Sequence, residues 1–227
     1  LRTPGGRWAI EEHVLNFVSS GRDLLSMNEV VLPRSAPLIV ADPQFGAHQG
    51  SDARLGRVRF KELPGTRREG EALSETLPGA ELRMGVEATE SSLTSVRGPA
   101  VLHVATHGFF LGSGGSPAAG ARGLEIVDND ESGLSIDDPL LESGLALSGF
   151  NTHRSGADDG VLSAFELASL DLSGTQLVVL SACETGLGEI EAGEGVFGLR
   201  RSLHIAGSQS QVISLWKVSD AATRDLM

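Results

Sequence analysis

Three short, nearly continuous apolar runs constrain this chain most: Pro37-Leu-Ile-Val-Ala-Asp42, Ala100-Val-Leu-His-Val-Ala-Thr106 and Gln176-Leu-Val-Val-Leu-Ser-Ala182. A strand with one wet face alternates apolar and polar residues, whereas these runs are apolar at both parities, as strands buried on both faces are. Helix-like stretches alternate with them, which predicts an α/β fold: a three-layer sandwich with a mainly parallel central sheet flanked by helices. At 227 residues the chain can bury a full core in one large domain. No apolar run approaches the roughly 20 residues of a membrane span, so no membrane partner is expected.

The stretches between the runs carry their own signals. Thr66-x-x-Glu69 has the spacing of a capping box and Gly79 stands where a helix would stop, predicting a helix over 66–77. Residues 81–86 read as a short strand, and Thr89 can cap a second helix over 90–97. Residues 109–160 form a long excursion rich in Gly, Ser, Asp and Pro, with a short hairpin; stretches this long inside a domain tend to be functional or disordered. Ser163-x-x-Glu166 is a second capping box, opening a helix over 164–170. Apolar residues recur at helical spacing over 195–206 and stop at Gly207. A strand from Gln211 to Val218 leads toward a last helix. The chain starts without Met or a secretion-signal pattern, so it reads as a piece of a longer, cytoplasmic protein, with residues 1–30 a lead-in segment.

The formal net charge is −12. Phosphate backbones are met by clustered basic side chains, so nucleic acid is a poor first partner. The chain holds one cysteine, Cys183, which excludes an internal disulfide framework and any multi-cysteine metal centre. A solitary cysteine is either a small core hydrophobe or a reactive thiol. Its position favours the second. Cys183 closes one apolar run and His107 closes another, and in open parallel sheets functional groups gather at the carboxyl ends of strands. A thiol is mostly protonated at neutral pH; an adjacent imidazole can take its proton as sulfur attacks a carbonyl and return it to the leaving amine. Gly108 and the turn after Cys183 offer backbone N–H groups for a developing oxyanion. Glu184, Glu189, Glu191 and Glu194 disfavour a preformed thiolate, so proton transfer is expected during attack.

Other readings compete. His103 shares strand parity with His107 and reads as a hydrogen-bonded core histidine. A His103/His107 metal pair lacks a third ligand of obvious spacing, so no metal or other cofactor is expected. Gly193-x-Gly195-x-x-Gly198 with Asp220 beyond it matches the dinucleotide fingerprint, but about ten residues, three of them glutamates, separate it from the preceding strand.

The segments VLHVATHGFF at 101–110, DDPLLESGLALSG at 137–149, DGVLSAFELASLDLSGTQLVVLSACETGLGE at 159–189, and GEGVFGLRRSLHIAG with SLWKVSDAATRDLM resemble the CHAT domain, a caspase-like cysteine peptidase family of the caspase, separase and legumain group. LPGTRREGEAL at 63–73 and FVSSGRDLL at 17–25 fit the same family, so the likeness covers nearly all of residues 1–227 as a single domain. It implies His107 as general acid/base, Cys183 as nucleophile, and the backbone N–H groups of Gly108 and Cys183 as the oxyanion hole. It also implies a protein or peptide substrate and tetratricopeptide repeats or another regulatory module in the full protein. His103 matches the family's first, non-catalytic histidine. The alternative is a catalytically silent signalling or scaffold module that keeps the fold and binds protein partners.

Over residues 109–160 nine acids face two arginines, a local net charge of −7, in the stretch that leaves His107. Such a field favours basic partners. The expectation is cleavage after Arg or Lys, with Asp137 or Asp138 contacting the substrate.

Overall fold

The computed structural model describes residues 4–12, 31–47, 59–110, 140, 143–153, 156–186 and 194–214, with the backbone alone for 9–10, 183–186 and 194–197. Two compact units, Leu1–Val30 and Val31–Met227, make up the chain. In the first, a single short helix, α1 (Ala9–Glu12), is described. Trp8 N–H donates to the Glu11 carboxylate there at 3.2 Å.

The second unit is a mixed α/β domain. Its elements run β1 (Leu38–Pro43), α2 (Pro64–Thr76), β2 (Glu81–Gly85), α3 (Glu90–Thr94), β3 (Val101–Phe110), β4 (Ser143–Ala146), a 3-10 turn (Phe150–Thr152), β5 (Val161–Ser163), α4 (Ala164–Ala168), β6 (Leu177–Gly186), α5 (Glu194–Ile205) and β7 (Gln211–Ile213). Five strands are parallel in the spatial order β2-β1-β3-β6-β7, and β4 and β5 add an antiparallel hairpin. The expected mainly parallel sandwich is what forms. Among the described residues no helix is long and apolar enough to cross a membrane.

The three central parallel strands, β1, β3 and β6, bury both faces, as their composition requires. On one face Ile39, Ala41 and Ala105 pack under α2, with Leu73, Leu77 and Leu82 around them. On the other, Leu38, Val40, Leu102, Val104, Val178 and Leu180 form the main core with Leu93 of α3, Leu167 of α4 and Leu199 and Leu203 of α5. Gly70 lets α2 settle closely, since a Cβ there would come within 2.9 Å of the Ala41 Cβ.

Two local signals work as written. Thr89 caps α3, exchanging hydrogen bonds with Ser92 in a capping box, and Ser163 with Glu166 does the same for α4. The Thr66/Glu69 box does not form. Helix α2 starts earlier, at Pro64, whose fixed φ suits a first helical position, with Leu63 as N-cap and no side-chain cap. Thr66 Oγ1 instead donates to the Leu63 carbonyl at 2.7 Å and accepts from Asp42 N–H at 3.1 Å. Glu69 turns into the core.

Strands β3 and β6 also run further than their apolar runs. The expectation put His107 and Cys183 just past strand ends; both lie inside ten-residue strands, three residues before the end. The reason is β4. One edge of β3 pairs with β1 over Leu102–Ala105 and then with β4 over His107–Phe110, so the ladder continues after β1 has turned away. The buried Thr106 hydroxyl donates to the Ala146 carbonyl at that changeover. The other edge of β3 pairs with β6 along its whole length.

In the dinucleotide-type motif, Gly195 and Gly198 lie within α5 and not in a strand-to-helix turn, which removes that reading; Gly193 and Asp220 lie outside the described residues. The described part of the last expected strand is β7, and residues 215–227 likewise lie outside.

Candidate active site

The site is assembled at the carboxyl half of the β3/β6 pair. In the parallel register Ala105 is opposite Ser181, His107 opposite Cys183, and Gly108 opposite Glu184. The two residues singled out as a thiol/imidazole pair are therefore direct neighbours across one ladder step, where strands lie about 4.8 Å apart. Gly108 is buried in β3, with Leu145 of β4 on its other flank.

The His107 ring is held on three sides. The Phe60 ring stacks on it, centroids 4.6 Å apart with 19° between planes, and the Phe45 ring lies at 5.5 Å and 43°. His107 Nε2 sits 2.8 Å from the Lys61 carbonyl oxygen. A carbonyl only accepts, so the hydrogen of this bond belongs to Nε2 and the neutral ring carries its lone pair on Nδ1. The backbone of residue 61 thus selects a tautomer, the task a carboxylate performs in many catalytic histidine sites.

Phe45 and Phe60 stand in the two segments flanking residues 48–58, and they join Phe109, Phe150, Ala146 and Val161 in a buried apolar cluster beneath the histidine. A network on the α2 side lies behind it. His103 is 2 % exposed, and its Nε2 lies 2.8 Å from Glu69 Oε1. Glu69 Oε2 accepts from Ser181 Oγ at 3.1 Å. His103 is the hydrogen-bonded core histidine its place in the run suggested. It stands four residues before His107, and Ser181 stands two before Cys183, so one buried carboxyl ties α2 to both site strands.

Sequence reasoning missed Lys61, Phe60, Phe45 and Glu69. Lys61 acts through its carbonyl, which leaves no trace in residue type. The two phenylalanines did carry a signal, being the lone aromatic residues in the polar stretch between the run ending at Asp42 and the helix expected at 66. Asp137 and Asp138, with most of the acidic excursion, lie outside the described residues.

A profile of the family described as CHAT domain matches residues 1–227, the whole chain. No curated protein matches it.

Proposed function

The chain belongs to the CHAT domain family, a caspase-like protease-related family, and from that membership we propose that it is a cysteine endopeptidase working through Cys183 and His107. One observation carries the reading: His107 pairs in register with Cys183 while the Lys61 carbonyl holds its Nε2–H. That tautomer is the one a proton-accepting Nδ1 needs.

Sulfur of Cys183 bonds to the peptide carbonyl carbon as the thiol proton passes to His107 Nδ1, and negative charge develops on the carbonyl oxygen. The backbone N–H groups of Gly108 and Cys183 are assigned to that oxygen, as the family resemblance implies. When the C–N bond breaks, the Nδ1 proton leaves with the amine and a thioester remains. Water then gives a proton to Nδ1 while its oxygen bonds to the acyl carbon. The C–S bond breaks, and sulfur recovers the proton. No cofactor takes part. The charge of −7 over residues 109–160 supports a preference for Arg or Lys before the scissile bond, with Asp137 or Asp138 as contacts. A partner module such as tetratricopeptide repeats would regulate the domain.

The test is labelling of Cys183 by a peptide-based electrophile, together with profiling on a peptide library. Labelling should outpace a free thiol and fall about 10²- to 10⁴-fold in His107→Ala, the usual worth of a general base. Labelling at the free-thiol rate, indifferent to that substitution, would leave the silent scaffold as the better reading. Preference for acidic or apolar residues before the cleaved bond would refute the basic specificity alone.

A further inference from the structure

We propose that Asn151 is a positioning residue for His107, acting through the backbone of residues 60 and 61; the catalytic meaning of this role rests on the peptidase reading above. Asn151 sits in the 3-10 turn that follows β4, entered through the left-handed Gly149 (φ 85°). Its Oδ1 accepts from Phe60 N–H at 3.0 Å, and its Nδ2 donates to the Phe60 carbonyl at 2.9 Å and to the Gly46 carbonyl at 3.1 Å. Its own N–H donates to the Phe45 carbonyl at 2.9 Å. One residue therefore hydrogen-bonds both of the segments that supply rings against His107, and the Phe45 and Phe60 rings of those segments lie 6.0 Å apart. The carbonyl that holds Nε2 belongs to the very next residue after Phe60.

The anchor is firm on its other side. Phe150 is fully buried, with its ring 4.9 Å from Phe60 and 5.7 Å from Phe109, and Gly149 N–H donates to the Gln44 carbonyl. The preceding strand β4 pairs directly with His107 through Ala146. Position thus passes from β4 through the Asn151 amide to residues 60 and 61 and back to the imidazole of β3. The chemistry demands an amide, because the side chain must accept once and donate twice. Aspartate has the same shape, but it offers no donor and would set negative charge against two carbonyl oxygens.

The experiment uses the full chain labelled with ¹⁵N-histidine, comparing wild type, Asn151→Asp and Asn151→Ala, with His107→Ala to assign the ring. Asn151 is only half-buried and the alanine variant introduces no charge, so it tests the proposal if the aspartate variant fails to fold. The expected result is an Nε2–H tautomer in wild type, and ring ¹⁵N shifts in both variants that move toward a mixture of tautomers. Labelling of Cys183 by the peptide electrophile should fall about 10- to 100-fold, the size of effect seen when a metal-ligating imidazole loses the outer partner that orients it. Unchanged ring shifts in a folded variant overturn the assignment. The ring shifts need no enzymatic activity: shifts that respond while wild-type labelling stays at the free-thiol rate uphold Asn151 and reject the peptidase reading.

Discussion

Replacing Glu69 by alanine removes the carboxyl that joins α2 to the two strands of the site. Glu69, His103 and Ser181 are 4 %, 2 % and 6 % exposed, so water cannot substitute for what is lost. The His103 ring nitrogen and the Ser181 hydroxyl would each be stranded, at about 1–3 kcal/mol apiece. Breaking a buried pair by deleting one member typically costs about 3–5 kcal/mol, which agrees with that sum. For a domain of this size each kcal/mol lowers the melting temperature by about 2–4 °C, so a fall of about 6–20 °C is expected. Urea unfolding followed by circular dichroism, with an unchanged m value, isolates the stability term. The cause is separable from the loss of side-chain volume. Converting all three residues to apolar ones, Glu69→Met with His103→Leu and Ser181→Ala, leaves no orphaned group and should recover most of the loss. A loss below about 1 kcal/mol for Glu69→Ala, or a triple variant no more stable than the single one, would refute the reasoning.

Two further perturbations probe the hairpin beside the site. Glu90 accepts from Gly160 N–H at 2.6 Å and Val161 N–H at 3.1 Å, and its carboxyl is pushed up to about 7, first by burial and then by the charge of neighbouring Asp159. The folded state thus binds a proton that the unfolded chain releases near pH 4.5. The stabilisation is complete below that value and lost as pH rises through about 7. Glu90→Gln keeps the acceptor without the titration, so the melting temperature of the variant minus that of wild type should climb between pH 5 and 8, and a flat difference would contradict the shift. Gly160 has φ +84°, and a Cβ there would lie 2.6 Å from Phe150 Cα, whereas Gly79 at φ +72° faces open space. Gly79→Ala should cost about 1–2 kcal/mol from the left-handed backbone alone, and Gly160→Ala clearly more; equal losses in urea unfolding would mean that the close approach of Gly160 to Phe150 does not matter.

Local chemistry was legible where it had no competitor. The cap at Thr89 and the capping box at Ser163 formed because their partners lie three residues away and nothing distant claims them. The same spacing at Thr66 and Glu69 misled, because a buried imidazole 34 residues on and a hydroxyl 112 residues on claim the carboxyl first. Strand ends were misjudged for a related reason. Apolar content reports where a strand is buried, but β3 continues wherever a partner supplies backbone hydrogen bonds, and β4, which supplies them, comes from within the excursion at 109–160, more than thirty residues further along the chain.

By itself the sequence determined the class of fold and the two residues worth joining. Runs apolar at both parities must be covered on both sides, and a lone cysteine and a histidine closing two such runs point to the same end of the sheet. Only the tertiary structure decided that β3 and β6 are neighbours, in the one register that sets His107 opposite Cys183. It alone decided that the Lys61 carbonyl, steadied by Asn151, chooses the tautomer. Periodicity records burial, which is a property of each residue's own side chain; register and backbone hydrogen bonds depend on segments far apart in the chain, and a carbonyl looks the same in every residue.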